Sequence, residues 1–322
     1  MGQTILVTGA GGFIGSAVTR LLVHWAEAGA AFCDGEQIDT VSALLRPGSS
    51  DVRLEGVRQS PLLTIERADM SDTVGLQDVL RRQRPKAVLH LAFDPSGFEP
   101  QTEEEWRAHH LAPVEAMFEA LSHFEDSRFV HTGSAWVLAA GDRLAEDSPL
   151  APTLDYAKAK ARLAEALTPL QHTYGVPYVN LRLFNVFGRY EEKSRLLPHL
   201  VDHWRRGVPA QLTHGDQVRD FNDVDDIAEA YRLALLCPDS ACGAVYHIGS
   251  GRGVTVREFA ALVRAAMDVP GEIQFDAAAT RDQDVPILVS DPARAINALG
   301  WCPTDDLQAK VRAATQWWLA RL

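Results

Sequence analysis

The chain runs from a short β-branched segment, Thr4 to Thr8, straight into Thr8-Gly9-Ala10-Gly11-Gly12-Phe13-Ile14-Gly15 and then into a stretch of helical period. A T-G-x-x-G-x-x-G sequence set between a strand and a helix leaves few folds open. The glycines let the chain turn tightly, let a phosphate approach the main chain, and let the helix pack closely on the strand. The start of the helix adds N–H donors that have no partner within it, which makes an anion site. Such a loop predicts a dinucleotide held at the edge of a parallel sheet.

The rest of the sequence keeps the same rhythm, with short apolar runs alternating with longer helical stretches, as repeated βαβ units require. Strands are predicted at Thr4 to Thr8, Thr40 to Leu45, Leu62 to Glu66, Ala87 to Leu91, Arg128 to Thr132 and Tyr178 to Leu183. Helices are predicted near Phe13 to Trp25, Thr73 to Arg82, Glu103 to Leu121 and Tyr156 to His172. The fold class is therefore α/β, a doubly wound parallel sheet. After Asn185 the helices shorten and Gly, Pro and charged residues interrupt them, with helices expected near Leu196 to Trp204, Val224 to Leu236, Val256 to Met267 and Leu307 to Leu319. Residues 1–184 are thus expected to form mainly the dinucleotide-binding domain and 185–322 mainly a smaller substrate-binding cap, with the chain free to cross back to the sheet. The stretch Gly29 to Asp39 reads as a loop inserted before the second strand.

Charge narrows the partners. Lys and Arg total 31 against 43 Asp and Glu, a formal charge of −12, which repels nucleic acid and anionic lipid. No nucleic-acid or membrane partner is expected. The four cysteines, Cys33, Cys237, Cys242 and Cys302, show no C-x-x-C spacing, and no apolar stretch reaches the roughly 18 residues of a spanning helix. A reducing, cytoplasmic setting is the expectation.

A second pattern carries chemistry. Tyr156-Ala157-Lys158-Ala159-Lys160 places Tyr156 and Lys160 four apart on one helix face. A cation beside a phenol favours the phenolate and lowers its pKa, giving an acid or base usable near neutral pH. Ser134 follows the strand Arg128 to Thr132, at a carboxyl edge where ligands of open α/β sheets bind.

With these features stand Ala68-Asp69-Met70, Leu89-His90-Leu91-Ala92, Thr132-Gly133-Ser134-Ala135, Leu181-Arg182-Leu183-Phe184-Asn185-Val186-Phe187-Gly188, Arg219-Asp220-Phe221-Asn222-Asp223-Val224-Asp225-Asp226, and Leu299-Gly300-Trp301 before Pro303. In this order they resemble the extended short-chain dehydrogenase/reductase family, the nucleotide-sugar epimerases, dehydratases and ketoreductases, almost end to end. The resemblance implies a Rossmann sheet and a catalytic set of Ser134, Tyr156 and Lys160. Tyr156 would exchange a proton with a sugar oxygen that Ser134 also holds, and Lys160 would hold the nicotinamide ribose. For the cofactor it implies Gly9, Gly12, Phe13, Ile14 and Gly15 at the pyrophosphate, Asp69 and Met70 at adenine, and Leu91, Ala92 and Phe184 along the cleft, besides Tyr156 and Lys160. For a nucleoside-diphosphate sugar it implies Ser134, Asn185, Arg219 and Arg281, whose guanidinium forks suit a diphosphate.

The chain also departs from the family. His110 and Pro113 stand where Asn and Gly are common, and Trp136-Val137-Leu138 replaces V-Y-G. Gly133-Ser134-Ala135 lacks the Thr-Asp-Glu or Thr-Asp-Lys of the dehydratase subgroup, which disfavours 4,6-dehydration. At the end of the second strand the chain has Leu44-Leu45-Arg46-Pro47-Gly48-Ser49-Ser50. A positive Arg46 there favours the 2′-phosphate of NADP over NAD, with Asp39 and Asp51 the acidic alternatives. The leading expectation is a nicotinamide-dependent 4-epimerase of a nucleoside-diphosphate hexose. An NADPH-dependent 4-keto-sugar reductase is the near alternative, and a catalytically silent nucleotide-binding protein on the same fold is the distant one. His109 and His110 diverge on a helix, so no metal site is expected, and a homodimer stays open.

Overall fold

The computed structural model describes residues 3–32, 35–93, 102–267, 273–277 and 285–322. Its strands are β1 (Gln3–Thr8), β2 (Ile38–Leu45), β3 (Leu63–Arg67), β4 (Ala87–His90), β5 (Arg128–Ser134), β6 (Gly141–Leu144), β7 (Tyr178–Leu183), β8 (Asn185–Phe187), β9 (Ala210–Gln211), β10 (Val218–Asp223), β11 (Ala244–Ile248), β12 (Gly253–Thr255), β13 (Ile273–Gln274) and β14 (Ile287–Ser290). Its helices are α1 (Phe13–Glu27), α2 (Thr73–Gln83), α3 (Glu103–Trp106), α4 (Ala112–Leu121), α5 (Asp155–Tyr174), α6 (Leu196–Arg205), α7 (Val224–Leu236), α8 (Val256–Ala265), α9 (Ala293–Leu299) and α10 (Leu307–Leu319).

Seven strands form one sheet in the order β11-β7-β5-β4-β1-β2-β3, every neighbouring pair parallel. Helices cover both faces, which is why the central strands read as continuous apolar runs rather than alternating ones. Residues of α1, α7 and α9 pack on one face, and those of α2, α4 and α5 on the other. The strand order reverses between β1 and β4, and a crevice opens there at the carboxyl ends.

Two elements differ from the sequence expectations, a strand and a helix. The seventh strand, β11, is not among the predicted strands; it follows α7, and with it the chain makes the crossing back to the central sheet that the domain reading allowed. The run Ala-Val-Tyr-His-Ile is short and flanked by glycines, and only pairing with β7 marks it as a strand. The single helix expected over Glu103 to Leu121 is α3, a π segment at Arg107–Leu111, and α4. Pro113 has no N–H to give to the preceding turn, so the regular ladder is interrupted there. The wider turn carries His110 inward, where it is buried and its ring stacks on Phe93 at 4.7 Å.

The cap is a second sheet, β12-β10-β14-β6 with β8 beside β10, backed by an apolar cluster from α6, α8 and α10 that includes Trp204, Phe259 and Trp318. No helix among the described residues is long and apolar enough to cross a membrane.

Candidate active site

The glycine loop is shaped by close approach. Gly9 has φ +66, and a Cβ there would lie 2.8 Å from the Ala92 nitrogen. A Cβ on Gly15 would lie 2.2 Å from the Gly9 carbonyl oxygen, so neither position takes another residue without moving the backbone. Gly12 caps α1, whose first turn carries no acidic side chain, and Phe13 and Ile14 open that turn with their side chains against the core. Thr8 fixes the facing strand: its Oγ1 accepts from the Leu91 and Ala92 amides, both at 3.1 Å, and pairs with His90 Nδ1 at 2.9 Å.

Above the loop lies a cavity of about 410 Å³ lined by residues that include Gly9, Gly12, Arg46, Asp69, Met70, Leu91 and Ala92. It sits at the crevice where the strand order reverses. The bare glycine backbone, the cap without an acidic neighbour and the cavity together fit a dinucleotide. Asp69 is held below the usual carboxylate range, first by hydrogen bonds from Ser71, with Arg46 adding its charge. Phe184 is different: its ring packs with Ala135, Val137 and Leu138 and edge-on to His247 at 5.2 Å.

Ser134 ends β5 and Tyr156 is the second residue of α5, and their hydroxyls hydrogen-bond. Lys160, one turn further along α5, is buried; its Nζ donates to the Thr132 carbonyl at 2.8 Å and lies 4.3 Å from the Phe93 ring centre. The sequence predicted a lowered phenol pKa. In the protein alone burial raises that of Tyr156, against the pull of Ser134 and Arg195. Burial also pushes Lys160 down to about 7. Below that pH the folded protein presents an ammonium, and above it a neutral amine. Affinity for an anionic dinucleotide is therefore expected to weaken as pH rises through about 7, and binding to take up a proton. Calorimetric titration across the window checks this, and Lys160→Met should flatten the profile; an unchanged slope in that variant excludes Lys160 as its source.

Arg219 lies on β10, nearly buried, with Nη1 donating to the Val218 carbonyl at 2.9 Å and its guanidinium 5.5 Å from the Trp136 ring. The Trp136 amide in turn donates to Ser134 Oγ at 3.3 Å, which brings Arg219 to the Ser134 side of the sheet. Asn185 opens β8 beside Phe221. Arg281 lies outside the described residues.

Several contributors escaped the sequence. Phe93 stands edge-on to Tyr156 at 5.1 Å. Arg195 acts on Tyr156 electrostatically and pairs at 3.6 Å with the buried Glu191, whose carboxyl burial pushes up to about 7. Arg67 donates to the Ser49 carbonyl at 2.8 Å, putting a second guanidinium beside Arg46. Arg53 ties the glycine loop to the cap, donating to Gly11 O at 3.2 Å, Tyr190 O at 3.0 Å and Glu192 at 2.6 Å. No sequence spacing marks these residues; only their distance in space does. Among the described residues no cluster of three or more His, Cys, Asp or Glu is placed to hold a metal.

Sheet order, glycine loop and crevice define a Rossmann-type dinucleotide-binding architecture. The model of the NAD dependent epimerase/dehydratase family matches residues 5–249, and the chain belongs to that family. It is 28% identical to a dTDP-glucose 4,6-dehydratase of Neisseria meningitidis serogroup B, over 98% of this chain and 93% of that one. It is 25% identical to a probable UDP-arabinose 4-epimerase of Arabidopsis thaliana, over 97% of this chain and 80% of that one. Among solved structures it is similar to the UDP-glucose 4-epimerase of Thermus thermophilus in complex with NAD, at TM-score 0.82 and 25% identity over 99% of this chain and 100% of that one.

Proposed function

We propose that this protein is a nicotinamide-dependent epimerase acting at C4 of a nucleoside-diphosphate hexose. The observation that carries the reading is the hydrogen-bonded Ser134–Tyr156 pair, with Lys160 one turn along the same helix, at the carboxyl edge of β5. Tyr156 would take the proton of the sugar hydroxyl and return it, Ser134 would hold the same oxygen, and Lys160 would hold the cofactor's ribose. The bound nicotinamide would supply the acceptor and donor of hydride. Arg219 and Asn185, on adjoining strands of the cap, are the proposed holders of the nucleotide-sugar, with Arg281. Similarity to UDP-sugar 4-epimerases and to a structure holding NAD supports this. A dehydratase is more similar in sequence, 28% identical against 25%, but Gly133 and Ala135 flank Ser134 with no side chain able to move a second proton.

One observation favours a second reading, an NADPH-dependent 4-keto-sugar reductase. Arg46 lines the cavity and Arg67 lies beside it. Both acidic alternatives are engaged elsewhere: Asp39 accepts from the Gln3 amide at 2.8 Å and Asp51 pairs with Arg58 at 2.8 Å. Arg46→Asp is then expected to lower NADP affinity roughly ten- to a hundredfold relative to NAD, the worth of a charge-assisted contact of about 1.5 to 3 kcal/mol. Titration with both cofactors checks it, and an unchanged ratio removes the argument for NADP. The deciding experiment is mass spectrometry for retained cofactor, followed by a panel of nucleoside-diphosphate hexoses and their 4-keto forms. Epimer formation without net cofactor use supports the first reading, and NADPH consumption by a keto sugar supports the second. No turnover with a bound dinucleotide would make the chain a silent binder.

A further inference from the structure

At the amino end of the central sheet, opposite the dinucleotide crevice, lies a cavity of about 340 Å³ lined by Phe32, Lys86, Arg128 and Cys237 among others. Cys237 caps the carboxyl end of α7, and its sulfur receives a hydrogen bond from Arg128 Nη1 at 3.1 Å. The same guanidinium donates to the Cys237 carbonyl and, at 2.9 Å, to Asp239. A single 3-10 turn, Asp239–Ala241, then folds the chain back, closed by Cys242 N to Asp239 O at 2.9 Å. That turn sets the two thiols together, Cys237 Sγ donating to the Ala234 carbonyl at 3.4 Å and Cys242 Sγ to the Pro238 carbonyl at 3.9 Å, with the two sulfurs interacting. None of these groups belongs to the proposed active site.

We propose that Cys237 is a hydroperoxide-reactive cysteine and Cys242 its resolving partner, a reversible oxidation site on the far side of the sheet from Tyr156. The geometry supplies each requirement. A thiolate needs a neighbouring cation, and Arg128 is bonded to the sulfur itself; the Cys242 thiol and the guanidinium together hold the Cys237 thiol below its ordinary value against burial. Cys237 is nearly buried in the residue sense, but it lines a cavity large enough for a small peroxide. In the first step the thiolate attacks the distal oxygen of the hydroperoxide. An S–O bond forms, the O–O bond breaks, and the leaving oxyanion takes a proton, so the sulfur loses two electrons and the peroxide gains them. In the second step the Cys242 sulfur attacks Cys237, the S–S bond forms, the S–O bond breaks and hydroxide leaves as water once protonated. Two thiols and one hydroperoxide give one disulfide, one water and one alcohol or second water.

The test uses the full chain, hydrogen peroxide at substoichiometric to modest excess, acid quenching, alkylation and peptide mapping. The expected product is a disulfide between Cys237 and Cys242 within one chain, lighter by two hydrogens and reopened by a dithiol. Alkylatable cysteines should fall from the four of the chain to two. Cys237 should react about tenfold or more faster than the exposed Cys302, since rate follows thiolate fraction and a bonded cation. In Cys242→Ser the oxidation should halt at a Cys237 sulfenic acid, trapped as an adduct by a cyclic 1,3-dione. Oxidation appearing first at Cys302 or Cys33, a disulfide joining other cysteines or two chains, or a folded Cys242→Ser protein that yields no adduct would each overturn the assignment. The wild-type map alone decides the matter should the variant fail to fold.

Discussion

Tyr156→Phe is expected to lower turnover by about two to four orders of magnitude, the usual worth of a positioned acid–base group, while dinucleotide affinity stays within about threefold. The substitution removes one oxygen and leaves the ring, which packs edge-on to Phe93. Ser134 keeps its contact with the Trp136 amide, and Lys160 keeps its bond to Thr132, so the walls of the site stay in place. Steady-state rates with the substrate identified by the panel, set beside cofactor titration of the same preparation, give both quantities. Wild-type turnover in the variant would remove Tyr156 from the chemistry. Equal losses of rate and cofactor affinity would instead make it a residue that shapes the pocket. The raised phenol pKa of the protein alone also sets a direction for the pH profile: any fall of that pKa into the working range must come with bound ligands, because burial opposes it beforehand.

The parts of this molecule that were legible in its sequence are those whose physics is local. The glycine loop is readable because its spacing is set locally, Gly12 and Gly15 both turning against the Gly9 carbonyl, although Gly9 itself answers the distant Ala92. Tyr156 and Lys160 are readable because helix geometry alone puts them on one face. The strands β1, β2 and β4 are readable because burial on both faces leaves short apolar runs in them, whereas β5 and β7 carry buried polar residues such as His131, Asn180 and Arg182 among their apolar ones. What resisted reading is what depends on chain crossings. β11 is a strand by virtue of β7, and α7 belongs with α1 although some two hundred residues separate them. Phe93 gives no sign in sequence of lying against both Lys160 and Tyr156, since it follows β4 and they stand on α5, some sixty residues on. Lys160 itself was read for its charge, whereas in the folded protein the loss of water around it is the larger influence.

Asp220 shows the same division and carries a large expected effect. The motif around it was visible, yet its role is a matter of distances. It is fully buried. Oδ1 accepts from the Ser250 amide at 2.8 Å, Ser250 Oγ at 2.6 Å and Asn222 Nδ2 at 3.1 Å. Oδ2 accepts from the Gly251 amide at 3.0 Å, the Ser290 amide at 3.1 Å and Ser290 Oγ at 2.6 Å. One carboxylate therefore joins β10 to the turn after β11 and to the end of β14. Gly249 is glycine for the same reason, since a Cβ there would lie 2.6 Å from Oδ2. Asp220→Ala leaves the amides of Ser250 and Ser290 facing a space with no acceptor, while the Gly251 amide keeps Ser290 Oγ at 3.2 Å. Each buried orphan costs about 1 to 3 kcal/mol, so a loss of roughly 2 to 6 kcal/mol is expected for the two amides, a large part of the about 5 to 15 kcal/mol that holds a typical domain together. Asp220→Asn keeps one acceptor oxygen but turns an NH₂ toward donors, and should fall between wild type and Asp220→Ala. Arg219 is the neighbouring residue on β10, so the proposed nucleotide-sugar site should loosen before the glycine loop does, because that loop rests on β1, β4 and α1. Denaturant unfolding measures the stability loss, and dinucleotide titration of the folded fraction tests the order. Unfolding of Asp220→Ala within about 1 kcal/mol of wild type would mean that water replaces the carboxylate at those amides and that the network does not brace the cap.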